Sequence, residues 1–281
     1  MPNKRKRLYK YLDDEAGHFS GQVGLAAQHL DSETPLLYQA DDVFPTASVI
    51  KLVVLAEYLA QVEAGRLRPD QPVVLQASDQ VGGSGILKDL QPGLRLTLAD
   101  VAMLSITVSD NTAANLLIEQ VGGLEPIKAR LRALGMHHTT MGRPFIFDST
   151  ADNTGAPADF LRLLLAVARQ QLISPASSQH MLALMRRHQY MHYIPRYLPY
   201  HAFAAEYGLP RTVTIANKVG MLPGTANDAA IITTPSITYA LVIFTRDSQD
   251  RRADPDNEAA LLLARLSKRI YDFFLNETKV R

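Results

Sequence analysis

The chain has 281 residues, of which 47% are apolar and 20% are charged, so it is long enough and apolar enough to bury a sizeable core. Its 29 basic and 28 acidic side chains leave a formal charge of +1, which gives no reason to expect nucleic acid or a charged membrane surface as a partner. The absence of cysteine excludes disulfides, thiolate catalysis and cysteine-ligated metal sites.

The N-terminus carries a basic run, Lys4 to Arg7, that is not followed by the apolar segment of a signal peptide. We expect a solvated, frayed terminus here rather than a contact with nucleic acid or lipid. The sequence as it stands predicts a cytoplasmic protein, or a periplasmic or secreted one if a leader has been removed. No apolar stretch is long enough to span a bilayer, and nothing in the sequence indicates the oligomeric state.

The predicted elements follow one another as strands, then helices, then strands again. Two strands are predicted over 22–30 and 35–42, joined as a hairpin by the turn DSET. The segment over 47–65 has a nearly continuous apolar surface and predicts a central, buried helix. Helical spacing continues through the middle of the chain, and β-rich runs return beyond residue 212 before a closing amphipathic helix.

The simplest fold for this order joins both ends of the chain in one antiparallel sheet. We therefore predict an α/β (α+β) fold in which residues 1–45 and 212–281 form a sheet subdomain flanked by helices. Residues 46–211 would form a large all-helical insert. Because ligands often bind in clefts between two such parts, we expect the active site where the insert meets the sheet.

Three short motifs lie on these elements in a fixed order. They are Ser48-x-x-Lys51 in FPTASVIKL, Ser109-Asp110-Asn111 and Lys218-Val219-Gly220. Each is common by chance, but the three in order resemble the Ser-x-x-Lys, Ser-Asp-Asn and Lys-[Thr/Ser]-Gly signature of class A β-lactamases and penicillin-binding proteins. The resemblance covers nearly the whole chain. It implies the β-lactamase and transpeptidase type of fold, and it favours the broader β-lactamase-related serine hydrolases over the antibiotic-resistance enzymes proper.

Ser48 and Lys51 are three residues apart on a predicted helix, so the lysine amine can reach the serine hydroxyl. A serine hydroxyl is a weak nucleophile that needs such a base. A buried lysine accepts a proton once a second cation lowers its pKa, and Lys218 would be that cation. Taken singly, Ser48 also fits a helix cap and Lys51 also fits a lysine that snorkels to the surface. The three motifs together favour the active-site interpretation.

The resemblance implies further roles in the same site. Ser109 would relay a proton to the leaving nitrogen, and Asn111 would hold the substrate amide. The backbone N–H groups of Ser48 and Met221 would bind the oxyanion, with Gly220 beside them on the substrate-binding strand. The substrate would be a small molecule, and neither a metal nor an organic cofactor is needed.

Three departures from the family pattern concern release of the acyl group and the substrate's charge. The stretch GMHHTTMGRPFIFDSTADNTGAP lacks the glutamate that activates the deacylating water in class A β-lactamases, and it looks shortened. Asp148 is its candidate deacylation base, ahead of Asp152, although both also fit turn residues. Val219 lacks the hydroxyl that binds a substrate carboxylate, and Asp228 would repel that carboxylate if it faced the cleft. These changes argue against efficient penicillin turnover.

The segment over 185–203 has no clear counterpart in the family pattern and is rich in tyrosine and histidine. His188, His192 and His201 raise the question of a metal site, but the segment has no HExxH motif and no carboxylate. We expect an irregular wall beside the cleft, with the tyrosines facing a substrate or a second copy of the chain.

These observations predict a serine acyl-hydrolase that works through an acyl-enzyme on Ser48, with a β-lactam or a related amide or ester as substrate. A peptidase or esterase on the same fold stays open. So does a slowly deacylating penicillin-binding sensor. The complete set of motif residues argues against a degenerate scaffold with a purely structural role.

Overall fold

A computed structural model of the chain describes residues 2–145, 152–201, 204, 207–210 and 212–278. Asp148, the candidate deacylation base, lies outside the described residues. The helices are α1 (Pro2–His18), α2 (Lys51–Glu63), α3 (Leu98–Thr107), α4 (Asn111–Gln120), α5 (Leu124–Ala133), α6 (Pro157–Ala168), α7 (Pro175–Met185) and α8 (Glu258–Thr278). The strands are β1 (Gln22–His29), β2 (Leu36–Tyr38), β3 (Phe44–Pro45), β4 (Pro72–Val74), β5 (Arg95–Thr97), β6 (Thr140–Met141), β7 (Asn153–Gly155), β8 (Thr214–Leu222), β9 (Thr225–Thr233) and β10 (Thr238–Arg246).

The main sheet has five antiparallel strands in the order β2-β1-β10-β9-β8. Strand β1 pairs with β10, beginning at Gln22 opposite Arg246, so the two ends of the chain share one sheet. This arrangement confirms the predicted α/β fold with an antiparallel sheet and flanking helices. Strand β8 forms one edge of the sheet, and its outer edge therefore has no neighbouring strand in that sheet.

Two apolar cores lie on opposite faces of this sheet. One contains most of α2 together with side chains of α3, α4, α6 and α7, and the other contains α1 and α8. Helix α2 is buried along nearly its whole length, as its apolar composition predicts. The division into a sheet subdomain and an insert stays a prediction, but the range 46–211 is not all-helical, because the short strands β4, β5, β6 and β7 lie within it. Helix α6, from the same range, packs on β1 and β10.

The prediction of a frayed N-terminus is wrong. Residues 2–18 form α1, which packs against α8. Leu8 and Leu12 lie one turn apart and are each only 2% exposed, because they form an apolar stripe that the helix buries. Arg265 of α8 donates to Glu15 at 2.8 Å. Among the described residues no helix is both long and apolar enough to cross a membrane.

Candidate active site

Ser48 lies in a one-turn 3₁₀ helix, Ala47–Ile50, that leads directly into α2. This turn forms part of a cleft with a volume of about 410 Å³. Gly220 of β8 approaches the turn so closely that a Cβ atom there would lie 2.6 Å from the Thr46 carbonyl oxygen and 3.0 Å from the Ser48 nitrogen. A glycine at this position therefore allows the edge strand to reach the nucleophile turn.

Lys51 begins α2 and is fully buried. Its Nζ donates to the Ser109 carbonyl oxygen at 2.6 Å and to Asn111 Oδ1 at 2.8 Å, and it lies 3.4 Å from Ser109 Oγ. Within the described part of the chain, Ser48 Oγ has no hydrogen bond, to Lys51 or to any other group. Burial holds the pKa of Lys51 well below its usual value, and the charge of Lys218 lowers it further.

The turn between α3 and α4 carries the second motif in an unusual backbone conformation that several hydrogen bonds hold. Ser109 has a φ of +55°, which is rare outside glycine. Asp110 caps α4 by accepting from the Ala113 nitrogen at 2.9 Å, and it accepts at 2.6 Å from the nitrogen of Ile86. Gly85 packs directly on this carboxylate, where a side chain would collide. Asp110 therefore has the structural role that its capping position predicts.

Lys218 lies on β8 and is fully buried, like Lys51. Its Nζ donates to Ser109 Oγ at 2.9 Å and to the Val219 carbonyl oxygen at 2.8 Å. Burial lowers the pKa of Lys218 to about 7, although the negative charge of Asp228 acts against the shift. The Ser109 hydroxyl thus lies between two amines, and burial has brought the pKa of each of them down.

The outer edge of β8 is directed toward neighbouring groups rather than toward another strand. The Val219 nitrogen donates to His188 Nε2 at 3.2 Å, and the Val219 carbonyl accepts from Lys218. Peptide groups alternate in direction along an antiparallel strand, so the N–H of Met221 also points away from β9. Met221 is 48% exposed and lines the cleft.

The two residues of the sheet that depart from the family pattern, Val219 and Asp228, differ in position, because Val219 lines the cleft and Asp228 does not. Asp228 is directly opposite Val219 in the β8–β9 pair and is fully buried, and it does not line the cleft. It accepts from Asn217 Nδ2 at 3.1 Å and from the Ile194 nitrogen at 3.1 Å. Burial raises the pKa of the Asp228 carboxyl to about 7. Its position excludes direct repulsion of a bound substrate, and its bonds join the sheet to the segment around residue 194.

The loop that carries the deacylation base in class A β-lactamases has a different composition on this side of the cleft. The ring of Phe145 lies over Lys51, with Nζ 4.3 Å from the ring centroid. Asn115 fixes this position, because the Phe145 nitrogen donates to its Oδ1 at 2.8 Å and its Nδ2 donates to the Phe145 carbonyl at 3.2 Å. Asp152 lines the cleft but forms an ion pair with Arg143 at 3.4 Å.

The histidine- and tyrosine-rich segment lines the cleft with Tyr190, His192 and Tyr193. His188 is buried just behind them, and His201 lies at the surface. No cluster of three or more His, Asp or Glu side chains that could hold a metal occurs among the described residues.

The residues of the three sequence motifs lie around one cleft in the structure. Three further residues in or next to this cleft belong to no motif. These are Phe145, His188 and Arg251. The histidine content of 185–203 drew attention to His188 without indicating its partners. No pattern in the sequence distinguishes Phe145 or Arg251 from other residues of their loops.

The chain is similar in sequence and in structure to known β-lactamases and to PBP-A. The Escherichia coli β-lactamase Toho-1 is 29% identical over 233 residues, which cover 82% of this chain and 76% of that protein. A β-lactamase of Sphaerobacter thermophilus has a similar structure, with a TM-score of 0.85, 27% identity, and coverage of 95% of this chain and 97% of that one. A mutant of PBP-A, solved as an acyl-enzyme complex with penicillin G, has a TM-score of 0.83 and 25% identity, covering 98% of this chain and 97% of that one.

These similarities confirm the resemblance to class A β-lactamases and penicillin-binding proteins. The sequence model of the β-lactamase enzyme family matches residues 7–274, which is nearly the entire chain. The chain therefore belongs to the β-lactamase enzyme family.

Proposed function

We propose that the protein is a serine acyl-hydrolase that forms an acyl-enzyme on Ser48 with a β-lactam or a related amide or ester. The observation that carries the proposal is the continuous set of contacts Lys51–Ser109–Lys218, buried in the wall of the cleft that Ser48 lines. Two buried amines around one hydroxyl supply both a neutral base and a charged donor at neutral pH. A structural role for these lysines would not require them to meet at a serine.

Acylation in this site begins with Lys51 in its neutral form. Lys51 takes the Ser48 hydroxyl proton on its lone pair as Oγ attacks the substrate carbonyl carbon. The new C–O bond leads to cleavage of the C–N bond, and Ser109 passes its proton to the leaving nitrogen. Lys218 then returns a proton to Ser109. General base and acid steps of this kind each contribute about 10²–10⁴-fold to the rate.

The oxyanion of the tetrahedral intermediate would accept from the backbone nitrogens of Ser48 and Met221. Support comes from the contact of Gly220 with the nucleophile turn and from the outward direction of the Met221 N–H. One such donor is worth about 10²–10³-fold in rate. Asn111 would hold the acyl amide, since its Nδ2 donates to the Gly82 carbonyl and its Oδ1 accepts from Lys51 beside the cleft.

A slowly deacylating penicillin-binding protein is the second candidate, and Phe145 favours it. The Phe145 ring lies over Lys51 in the cleft that Ser48 lines, and it would hinder the approach of water to an acyl ester on that side. Asp152, which lines the cleft, is paired with Arg143. Asp148 stays a proposed base, of lower weight than the acylation residues. A peptidase or esterase on the same residues differs only in the substrate that reaches Ser48.

Intact-mass spectrometry after exposure to penicillin G, with a chromogenic cephalosporin followed in parallel, tests the proposal. We expect an adduct on Ser48 in the wild-type protein. Rapid colour change would indicate turnover, whereas a persistent adduct would indicate the slow acylator. Cleavage of a p-nitrophenyl ester without any β-lactam adduct would favour the esterase. No reaction with any of the three compounds contradicts the proposal.

A further inference from the structure

His188 joins two elements of the active site through both of its ring nitrogens. It is 4% exposed, its Nδ1 lies 2.7 Å from the Ile106 carbonyl oxygen of α3, and its Nε2 lies 3.2 Å from the Val219 nitrogen of β8. A backbone N–H only donates, so Nε2 must accept. The hydrogen therefore resides on Nδ1 and donates to Ile106. Only one neutral tautomer makes both bonds.

The surroundings keep this ring neutral. Burial holds the pKa of His188 well below its usual value, with the charges of Lys218 and Lys51 acting in the same direction. The hydrogen bonds to the Ile106 and Thr107 backbones raise the pKa of His188, but their effect is smaller than that of burial. A protonated ring would have no lone pair for the Val219 N–H. The lowered pKa of His188 therefore favours the neutral ring that makes both hydrogen bonds of the bridge between α3 and β8.

The two ends of the bridge are the supports of Ser109 and Lys218. Ile106 belongs to the last turn of α3, just before Ser109, and Val219 follows Lys218 in the chain. A second bond, from the Gln189 nitrogen to the Thr107 carbonyl at 2.9 Å, holds the same segment to α3. Because β8 is an edge strand, no other strand of the sheet fixes its outer side. His188 takes that place.

We propose that His188 is a positioning residue for acylation: it fixes the separation between Ser109 Oγ and Lys218 Nζ and the outward direction of the β8 peptide groups that end at Met221. This role rests on the proposed function, because it has a purpose only if Ser109 and Lys218 exchange a proton. It also assigns a task to the histidine- and tyrosine-rich segment, which would clamp the edge strand against the helical part of the site.

Two substitutions separate the two ends of the bridge. In His188→Asn, the side-chain amide nitrogen takes the place of Nδ1 and keeps the bond to Ile106 while losing Val219. In His188→Gln, the amide oxygen takes the place of Nε2 and keeps the bond to Val219 while losing Ile106. His201→Gln, an exposed histidine in the same segment, is the matched control. Each variant is scored by its melting temperature and by the rate of Ser48 adduct formation with penicillin G between pH 5 and 9.

We expect His188→Asn to slow acylation about 100-fold per folded molecule, the effect of a misplacement of about 1 Å between reacting groups. His188→Gln should slow it less, and His201→Gln should match the wild-type protein. The alkaline limb of the pH profile should move to higher pH in His188→Asn. A displaced Lys218 would be solvated again, and its pKa would rise toward the usual value. A lower melting temperature with an unchanged rate and an unchanged pH profile would overturn the positioning role.

Nitrogen NMR of the wild-type imidazole tests the geometry even if neither variant folds. We expect the His188 ring to keep its hydrogen on Nδ1 from pH 5 to 9, and titration within that range would overturn the inference. The two levels of the proposal fail differently. Absence of any adduct in the wild-type protein contradicts the proposed function, whereas equal adduct formation in the wild-type and both His188 variants contradicts only the positioning role.

Discussion

The two sides of the cleft differ in how they are built. On the acylation side, Lys51, Ser109, Asn111 and Lys218 are buried and bonded to one another at 2.6–3.4 Å. On the side where class A enzymes carry their deacylation base, an aromatic ring covers Lys51. Asp152, the one carboxylate of the described residues that lines the cleft, has a 56% exposed side chain paired with Arg143.

This difference separates two requirements that a hydrolase usually meets together. Acyl transfer needs groups that hold a proton within a dry site, and burial of the two lysines provides them. Acyl release needs an ordered water next to a base, and Phe145, the described residue that covers Lys51, is not a base. Among the described residues, the groups for acyl transfer are therefore assembled more completely than the groups for acyl release.

Replacement of the nucleophile has the largest expected effect. Ser48→Ala should lower acylation by more than about 10³-fold, since the remaining groups only bind and polarise the substrate. Intact-mass spectrometry with penicillin G measures the loss directly, and an unchanged melting temperature serves as the control. If the variant still forms an adduct at the wild-type rate, the acylation side has been assigned to the wrong residue.

The buried cluster on the acylation side could be predicted from the sequence because it depends on short motifs at helix starts and within one strand. Ser48 and Lys51 are neighbours in the chain, and the order of strands and helices suffices to bring Lys218 toward them. The paired ends of the sheet follow from the same order. The sequence pattern predicts no N-terminal helix, because the basic run before Leu8 indicates a solvated segment. The helical signal consists of only two leucines, Leu8 and Leu12, which the helix buries.

The other side of the cleft depends on contacts that no local pattern carries. Phe145 reaches Lys51 only because Asn115 holds its backbone from another helix. Asp228 stays out of the cleft because it lies on β9, one strand in from the sheet edge, where Asn217 and the Ile194 nitrogen donate to its carboxylate. His188 finds its two partners through tertiary packing alone. Such placements require the folded chain.

The pH dependence of acylation provides the second test of the comparison. The reaction needs Lys51 neutral and Lys218 charged, so its rate should fall as pH drops through the lowered pKa of Lys51. It should also fall as pH rises past about 7, where Lys218 loses its proton. The alkaline limb should approach tenfold per pH unit, which amounts to about 50-fold between pH 7 and 9 for a group with a pKa of about 7.

Lys218→Arg is the control for this profile, because a guanidinium stays charged throughout the range. We expect a lower maximum rate in this variant and no alkaline limb below pH 10, measured from adduct formation with penicillin G. An alkaline limb that persists unchanged in Lys218→Arg would assign it to another group and remove Lys218 from the proton path.

A substitution at Phe145 can add a general base to the side of the cleft that lacks one among the described residues. Phe145→Glu should shorten the lifetime of the acyl-enzyme by about 10–100-fold, because a carboxylate near the ester can activate water as a general base. The lifetime is measured by mass spectrometry after removal of free penicillin G. Phe145→Leu is the matched control, since it removes the ring without adding a base. If both variants shorten the lifetime of the acyl-enzyme to the same extent, then the ring, and not the lack of a carboxylate at this position, sets the rate of release.

The smallest effect concerns the charge that an anionic substrate meets, and it tests whether the acylation side alone selects the substrate. Arg143 and Arg252, which line the cleft, are paired with Asp152 and Asp250, whereas the exposed Arg251 has no ion pair within the described part of the chain.

Arg251→Gln should therefore weaken binding of penicillin G about two- to fivefold at low salt, the worth of a single exposed charge pair, and less as salt rises. Arg251→Lys should retain most of the affinity, and a neutral p-nitrophenyl ester should bind equally to all three proteins. An equal loss for the neutral ester would mean that Arg251 shapes the cleft. A loss confined to penicillin G, which carries a carboxylate, would mean that recognition of charge has moved from β8 and β9, where Val219 and Asp228 offer no partner, to the loop before α8.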